Sequence, residues 1–345
     1  MNKTKKNTSI DSIGKYGLID RLTGNFKTNN SSTIIAAGDD AAALQYNENG
    51  LLILISTDLL LEGIHFNLVY TPLKHLGYKA VIRAISDIYA MNGKPGQLLV
   101  SLGIGSRFSV ENIEELYSGI ALACKKYGVD LAGGDTTSSL TGLTIGVTAV
   151  GSAEPGNVVK RSGASANDLI CVTGDLGASY MGLQLLERER RLFDEKSDLQ
   201  PDLSGYEYII GRQLKPGFPA EVIDLMRANE IVPTAMTDIS EGLASDLLQI
   251  CKQSDKGCRL YPDKIPIDSE TARMAEDFRL DPLLPAMNGG EDFELLFTVP
   301  LEYFEKIKKI KSAKVIGHIT QPEYGCFLVT GEGEEIALEA QGWKK

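Results

Sequence analysis

A chain of 345 residues, 43% hydrophobic and 23% charged, is long enough for about two domains and apolar enough for substantial cores. Its net charge of −11 at pH 7 disfavours nucleic acid and anionic membrane surfaces as partners, because no long basic stretch offsets that field. No apolar run reaches the ~18 residues that span a bilayer. Five cysteines without a C-x-x-C spacing argue against a disulfide or zinc framework and for a reducing, cytoplasmic setting.

The basic, polar start (1–12) is not followed by an apolar stretch, so it is expected as a tail and not a secretion signal. Residues 33–37 form the first β-branched apolar run. Similar runs predict strands over 51–56, 97–104, 143–151, 168–173, 293–299 and 326–330. Helical patterns lie between them. The first, 72–91, is announced by Thr71-Pro72; the second, 109–127, by Ser109 with early glutamates at 111, 114 and 115. Further helices are expected over 176–189, 217–229, 241–254, 269–279 and 300–311. Strands and helices alternate without a clean βαβ repeat, which predicts an α+β fold of helices packed on mixed sheets. The turn-rich stretch 152–167 divides the chain into domains 1–153 and 154–345. The polar stretch 190–208 is expected as an exposed loop.

Acidic residues recur at element ends. Asp39 and Asp40 follow the first strand, and Ser56-Thr57-Asp58 closes the second. Ser86-Asp87 lies in the helix 72–91. Asp135 follows Gly133-Gly134, and Asp238, Ser240 and Glu241 precede the helix 241–254. Any one of them is ordinary cap or turn chemistry. Together they have a second reading, as carboxylates gathered around cations. Two unit charges ~4 Å apart repel by ~4 kcal/mol at an effective dielectric of 20. Several such groups must therefore take up protons or share divalent metal. Oxygen donors from Asp, Ser and Thr favour Mg²⁺ over zinc or copper. Gly134 permits close approach of an anion, Ser240 adds a hydroxyl ahead of a helix, and Arg161 can pair with phosphate. The turn Asn288-Gly289-Gly290 presents Glu291 or Asp292 into a cleft. A P-loop and the protein-kinase catalytic set are absent, and the three histidines are scattered.

Seven segments carry a family likeness: GDDAA (38–42), STDLLLEGIHF (56–66), AISDIYAMNGKPGQLLVSLGI (84–104), GGDTTSS (133–139), KRSGA (160–164), DISEGL (238–243) and NGGEDFELLFTV (288–299). In this order they resemble the thiamine-monophosphate kinase family, within the superfamily of aminoimidazole ribonucleotide synthetase. The resemblance implies two α/β sandwich-type domains, the N-terminal one forming a barrel across a homodimer. It implies direct in-line transfer of the ATP γ-phosphoryl to thiamine monophosphate, with several Mg²⁺ ions. By this likeness Asp39, Asp40, Ser56, Thr57, Asp58, Asp87, Asp135, Asp238 and Glu241 are metal positions, with Asp58, Asp135 and Asp238 catalytic. Tyr117, Gly134, Asp135, Arg161 and Ser240 are ATP positions, and His65, Glu291 and Trp343 face the substrate. Two places depart from the family pattern: Glu241 stands for the usual Asp, and Gly14-Lys15-Tyr16 for Gly-Glu-Phe. The competing readings are another ATP-dependent enzyme of the superfamily and a non-catalytic Mg-nucleotide sensor.

Overall fold

The computed structural model describes residues 12–46, 50–195 and 203–340. In chain order the elements are α1 (Gly14–Thr23), β1 (Thr33–Ile35), β2 (Ala42–Leu44), β3 (Leu52–Leu61), α2 (Leu73–Ala90), β4 (Lys94–Gly105), α3 (Val110–Tyr127), β5 (Asp130–Ser139) and β6 (Thr144–Ala153). There follow β7 (Leu169–Thr173), α4 (Ala178–Glu195), α5 (Glu207–Leu214), α6 (Ala220–Ala228), β8 (Ala235–Asp238), α7 (Leu243–Ser254), β9 (Gly257–Leu260) and α8 (Ser269–Asp277). The chain ends with α9 (Leu283–Asn288), β10 (Leu295–Val299), α10 (Phe304–Ile307), β11 (Ala313–Thr320), β12 (Cys326–Val329) and β13 (Glu335–Ala337).

Two mixed sheets result, in an α+β architecture. The first runs β1-β2-β3-β6-β4-β5, antiparallel except where β4 meets β5. The second runs β13-β12-β9-β11-β7-β10-β8, antiparallel except where β12 meets β9. Helix α2 lies against β3, β4 and β6 on one side and against β8 and α5 on the other. Its apolar residues are buried nearly all round, from Leu76 to Ala90, so it serves as core to both halves. That placement decides what its few polar residues can reach.

Several expected boundaries move. β3 continues to Leu61, because its in–out alternation persists past Ser56. Ser56 and Asp58 therefore sit within a strand, not at its end. Residues 130–139, where the sequence predicts no strand, form the exposed edge strand β5. Gly134 explains how glycines fit there: a Cβ would stand 1.8 Å from the Val100 carbonyl oxygen, beside the register shift between β4 and β5. Residues 190–195 extend α4 instead of opening a loop, with Arg190 paired to Glu187 and Asp194 along the helix. Helix α3 starts as expected, capped by Ser109 in a reciprocal box with Asn112.

Candidate functional site

A polar stripe runs down one side of α2. Lys79, Arg83 and Asp87 recur every four residues, with Ser86 beside the last, so all face the same neighbour. That neighbour is the junction of the two halves. Ser56 and Asp58 point inward from β3 onto the same place. Ser56 Oγ donates to Asp87 Oδ2. Arg83 Nε donates to Asp58 Oδ1 at 2.9 Å.

The second half closes the site from β8. Asp238, the last residue of that strand, accepts from Ser86 Oγ at 2.7 Å and from Ser240 Oγ at 3.1 Å. Asp40 accepts from Thr237 Oγ1 at 2.9 Å and from Arg161 Nη2 at 2.6 Å. Asp39 Oδ1 accepts from the Arg161 and Asp40 backbone N–H groups, both at 3.1 Å. Carboxylate oxygens of Asp40, Asp87 and Asp238 all lie within 4.8 Å of one another. Asp40 Oδ2 and Asp58 Oδ2 are buried with no hydrogen-bond partner. A cavity of about 410 Å³ is lined by these groups, six carboxylates against three cations: Lys15, Arg83 and Arg161.

The five aspartates, buried first and crowded second, hold protons more tightly. Burial, and then their mutual repulsion, raises Asp87 well above the ordinary range. Asp238 is pushed up to about 6 by burial first and by Asp40 second. A group with a raised folded-state value binds its proton more tightly in the folded than in the unfolded protein. Its stabilising contribution is whole below about pH 4 and is lost as pH climbs through about 6. Metal-free protein in EDTA is therefore expected to lose on the order of 1 kcal/mol between pH 5 and pH 7 from this group. Urea midpoints at the two pH values measure the loss. Equal midpoints, or a higher one at pH 7, would contradict it.

A second cavity of about 520 Å³ adjoins the first and is lined by His65, Phe66, Tyr70, Lys79, Tyr180 and Glu291, among others. Glu291 is aimed there by an unusual loop. Glu291 and Phe293 both hold positive φ, +63° and +52°. Backbone bonds from Glu291 N to Ser240 O (2.9 Å) and from Phe293 N to Ile239 O (3.0 Å) lock the loop onto the Asp238 segment. Glu291 Oε2 accepts from Lys79 Nζ at 2.6 Å, and Oε1 from Arg83 Nη1 at 3.1 Å. Arg83 thus bridges the two cavities. Asp292 turns the other way: it accepts from Gly177 N at 2.8 Å and Ser179 N at 3.4 Å at the start of α4.

The N-terminal helix α1 completes the wall with no fully buried residue of its own. Lys15 pairs with Glu241, and Asp20 with Lys252 Nζ at 2.7 Å. Tyr16 lies 6.0 Å from the Arg161 guanidinium. The two positions that depart from the family pattern, Lys15 and Glu241, thus meet each other.

Of the residues singled out in the sequence, Asp39, Asp40, Ser56, Asp58, Asp87, Arg161, Asp238, Ser240 and Glu241 line one cavity, and His65 and Glu291 line the next. Thr57 also borders the first cavity, but its hydroxyl points to the opposite sheet face, 3.1 Å from Thr148 Oγ1. Asp135 and Gly134 lie on exposed β5, with Asp135 Oδ1 accepting from Thr136 N at 2.8 Å. Tyr117 lines a separate groove with Ile104, Phe108 and Ile113. Trp343 falls outside the described residues. Lys79, Arg83, Thr237 and Tyr16 were not foreseen. The spacing of Lys79, Arg83 and Asp87 on an otherwise apolar helix was the available signal.

Both halves match family models: AIR synthase related protein, N-terminal domain, over residues 38–153, and the C-terminal domain over residues 166–328. A thiamine-monophosphate kinase of Bacillus subtilis (strain 168) is 33% identical over 336 residues, covering 96% of this chain and 99% of the relative. One from Aquifex aeolicus (strain VF5) is 32% identical over 336 residues, covering 97% and 99%. A solved structure described as AaThiL complexed with AMPPCP and TMP is similar at a TM-score of 0.81 and 30% identity, covering 98% of each chain.

Proposed function

This chain belongs to the thiamine-monophosphate kinases of the AIR synthase related family, and from that membership we propose how its residues carry the reaction. The chain is a phosphotransferase: it moves the γ-phosphoryl group of ATP to thiamine monophosphate, giving thiamine diphosphate and ADP. The observation that supports the mechanism is the convergence of Asp40, Asp87 and Asp238 from three remote segments to within 4.8 Å. A buried polar atom left without a partner costs about 1–3 kcal/mol, and more when charged. Asp40 Oδ2 and Asp58 Oδ2 are such atoms. A hard cation satisfies them, and the all-oxygen donor set fits Mg²⁺. Asp39, Asp40, Ser56, Asp58, Asp87 and Asp238 would hold it. When bound there, Mg²⁺ supplies the positive charge that offsets repulsion between ATP and the phosphate acceptor.

The protein's own groups do the positioning. Arg161, pinned by Asp40, offers its remaining N–H groups to phosphate oxygens, with the Ser240 hydroxyl across the cavity. Arg83 stands between the two cavities, where donor and acceptor phosphates must meet. The adjoining cavity pairs acidic Glu291 with Phe66, Tyr70 and Tyr180, suited to a flat cationic ring system. The acceptor is a phosphate monoester with a second pKa near 6, largely dianionic at pH 7. No side chain is required as a general base, and the transfer is direct and in line.

The division of labour follows the chain: 1–153 for most of the metal-holding groups and the dimer, and 154–345 for Asp238 and the phosphate contacts Arg161 and Ser240 that close the site. The homodimer in this reading is supported by the open face of the first sheet. Leu59 and Leu99 point away from α2 and are 55% and 40% exposed. A second copy covering that face would also take in Asp135 on β5. Leu99→Arg is expected to weaken the dimer by about 2–4 kcal/mol, seen as monomer by light scattering. An unchanged dimer would remove this face as the interface. We place the reaction in the cytoplasm; among the described residues no helix is long and apolar enough to cross a membrane.

The function is tested by ADP release with thiamine monophosphate, with Mg²⁺ and with EDTA, and with unphosphorylated thiamine as control. Release is expected only with the monophosphate and Mg²⁺. Release that ignores the acceptor, or persists in EDTA, would defeat the reading.

A further inference from the structure

Three of the five cysteines, the third of them sixty-eight positions beyond the second, come together well away from the acidic site. Cys251 lies in the last turns of α7, Cys258 on β9, and Cys326 opens β12. β9 and β12 run parallel with Cys258 and Cys326 as direct partners, so both side chains leave the sheet on one face. Cys251 packs into the same core as Cys258. The three sulfurs lie within 4.8 Å of one another.

The surroundings differ from those of a cysteine used as a small apolar filler. Cys171, alone on β7 and fully buried, is that kind of residue. In the cluster, Cys251 and Cys258 are buried, at 2% and 0% exposure, while Cys326 is partly open. The site is therefore closed by core on one side and accessible on the other. The backbone around it is tightly held. Cys258 N donates to Gly325 O at 3.0 Å, and a Cβ on Gly257 would stand 2.3 Å from that same oxygen. Arg259 Nη1 donates to Cys258 O at 3.0 Å and to Gly325 O at 3.2 Å, and its Nε to Glu335 Oε1 at 2.8 Å, which clamps β9 to the turn before β12.

We infer that Cys251, Cys258 and Cys326 form a binding site for one thiophilic cation of the zinc class, with an open fourth position on the Cys326 side. Thiolates ~2.3 Å from a common zinc stand ~3.8 Å apart in tetrahedral geometry, so adjustments of up to about 1 Å per pair close the set. Each thiol releases its proton to solvent on binding, and no electron moves. Three thiolates around a dication leave one negative charge, turned toward the partly open Cys326 side. Sulfur donors separate this site chemically from the all-oxygen acidic cavity. They also separate it in space. Cys251 lies nine residues beyond Gly242, ~14 Å along α7 from the end that carries Glu241. The cation would pin α7 to the second sheet. The far end of that helix, through Ser254 Oγ, already accepts from Gly163 N (3.2 Å) and Ala164 N (3.1 Å), next to Arg161.

The test uses the full-length, tag-free, reduced protein with Mg²⁺ at saturation, titrated with Co²⁺ and then Zn²⁺. Thiolate-to-cobalt charge-transfer absorption is expected to saturate at one equivalent and to vanish when zinc displaces cobalt. Cys326→Ala, at the partly open position, and Cys258→Ser should both lose the absorption, and Cys171→Ser should keep it. Zinc should raise the melting temperature of the parent protein but not of Cys326→Ala, whose turnover without zinc should match the parent. No absorption at one equivalent, or absorption retained in both cluster variants, would overturn the inference. So would loss of two of these thiols to a disulfide under mild oxidant at the same rate with and without zinc.

Discussion

Asp87→Asn is expected to abolish most turnover while making the metal-free protein more stable. Asp87 shares its space with Asp40 and Asp238, all within 4.8 Å, and among the described residues it receives only the Ser56 hydroxyl. At that separation a pair of charges repels by ~3–4 kcal/mol at an effective dielectric of 20. Asparagine keeps the shape and can still accept from Ser56, but it removes the charge. After the lost solvation of the carboxylate is counted, a gain of about 1–2 kcal/mol in EDTA is expected. The same change withdraws a charged oxygen from the set that would hold Mg²⁺. Removing one preorganised electrostatic group at a reacting centre lowers kcat by about 10²–10³-fold. Paired urea melts and steady-state assays read both numbers. Near-parental turnover at saturating Mg²⁺, or a destabilised protein in EDTA, would exclude Asp87 from the metal-holding set. A purely structural aspartate would lower stability and activity together; opposite signs mark a functional one.

Glu291→Gln is expected to destabilise the fold by about 3 kcal/mol, because it strands a buried ammonium. Lys79 has a side chain only 4% exposed, and its partners are Glu291 and the Gln213 carbonyl at 2.9 Å. Burial pushes the Glu291 carboxyl up, but Lys79 and Arg83 outweigh it and hold it below the ordinary range. The pair spans the two halves of the chain, so its loss weakens their junction and not only a loop. Replacing both partners, as Lys79→Met with Glu291→Gln, removes the uncompensated charge. It is expected to recover the stability to within about 1 kcal/mol of the parent. Since Glu291 also lines the adjoining cavity, both variants should show a KM for thiamine monophosphate raised by about tenfold, or 1.4 kcal/mol. If the double variant is no more stable than the single one, the charge-stranding account fails. If KM is unchanged in both, Glu291 does not touch the substrate.

The acidic half of the site was legible because carboxylates next to Gly, Ser and Thr stand out in an apolar chain. Asp40, Asp58, Asp87 and Asp238 could each be named from the sequence, though not their convergence, which depends on α2 lying between the halves. The cationic half was not. Lys79 and Arg83 read as ordinary helix surface until α2 proves buried all round, when their four-residue spacing from Asp87 acquires meaning. β5 escaped because Gly133, Gly134 and the Thr-Thr-Ser-Ser run carry turn chemistry, and an edge strand needs no apolar alternation to pair on one side. The cysteine cluster lay beyond any spacing rule. One member comes from a helix and two from strands separated by sixty-eight positions, so only the parallel pairing of β9 with β12 reveals them.

Helix α1, which buries no residue fully, is pinned beside the acidic cavity by two ion pairs. Opposite charges at Lys15–Glu241 and Asp20–Lys252 attract over a range that shrinks from ~10 Å in 0.1 M salt to ~3 Å in 1 M. Raising the salt concentration is therefore expected to weaken the seating of α1 at the rim of the acidic cavity before it disturbs the cores beneath.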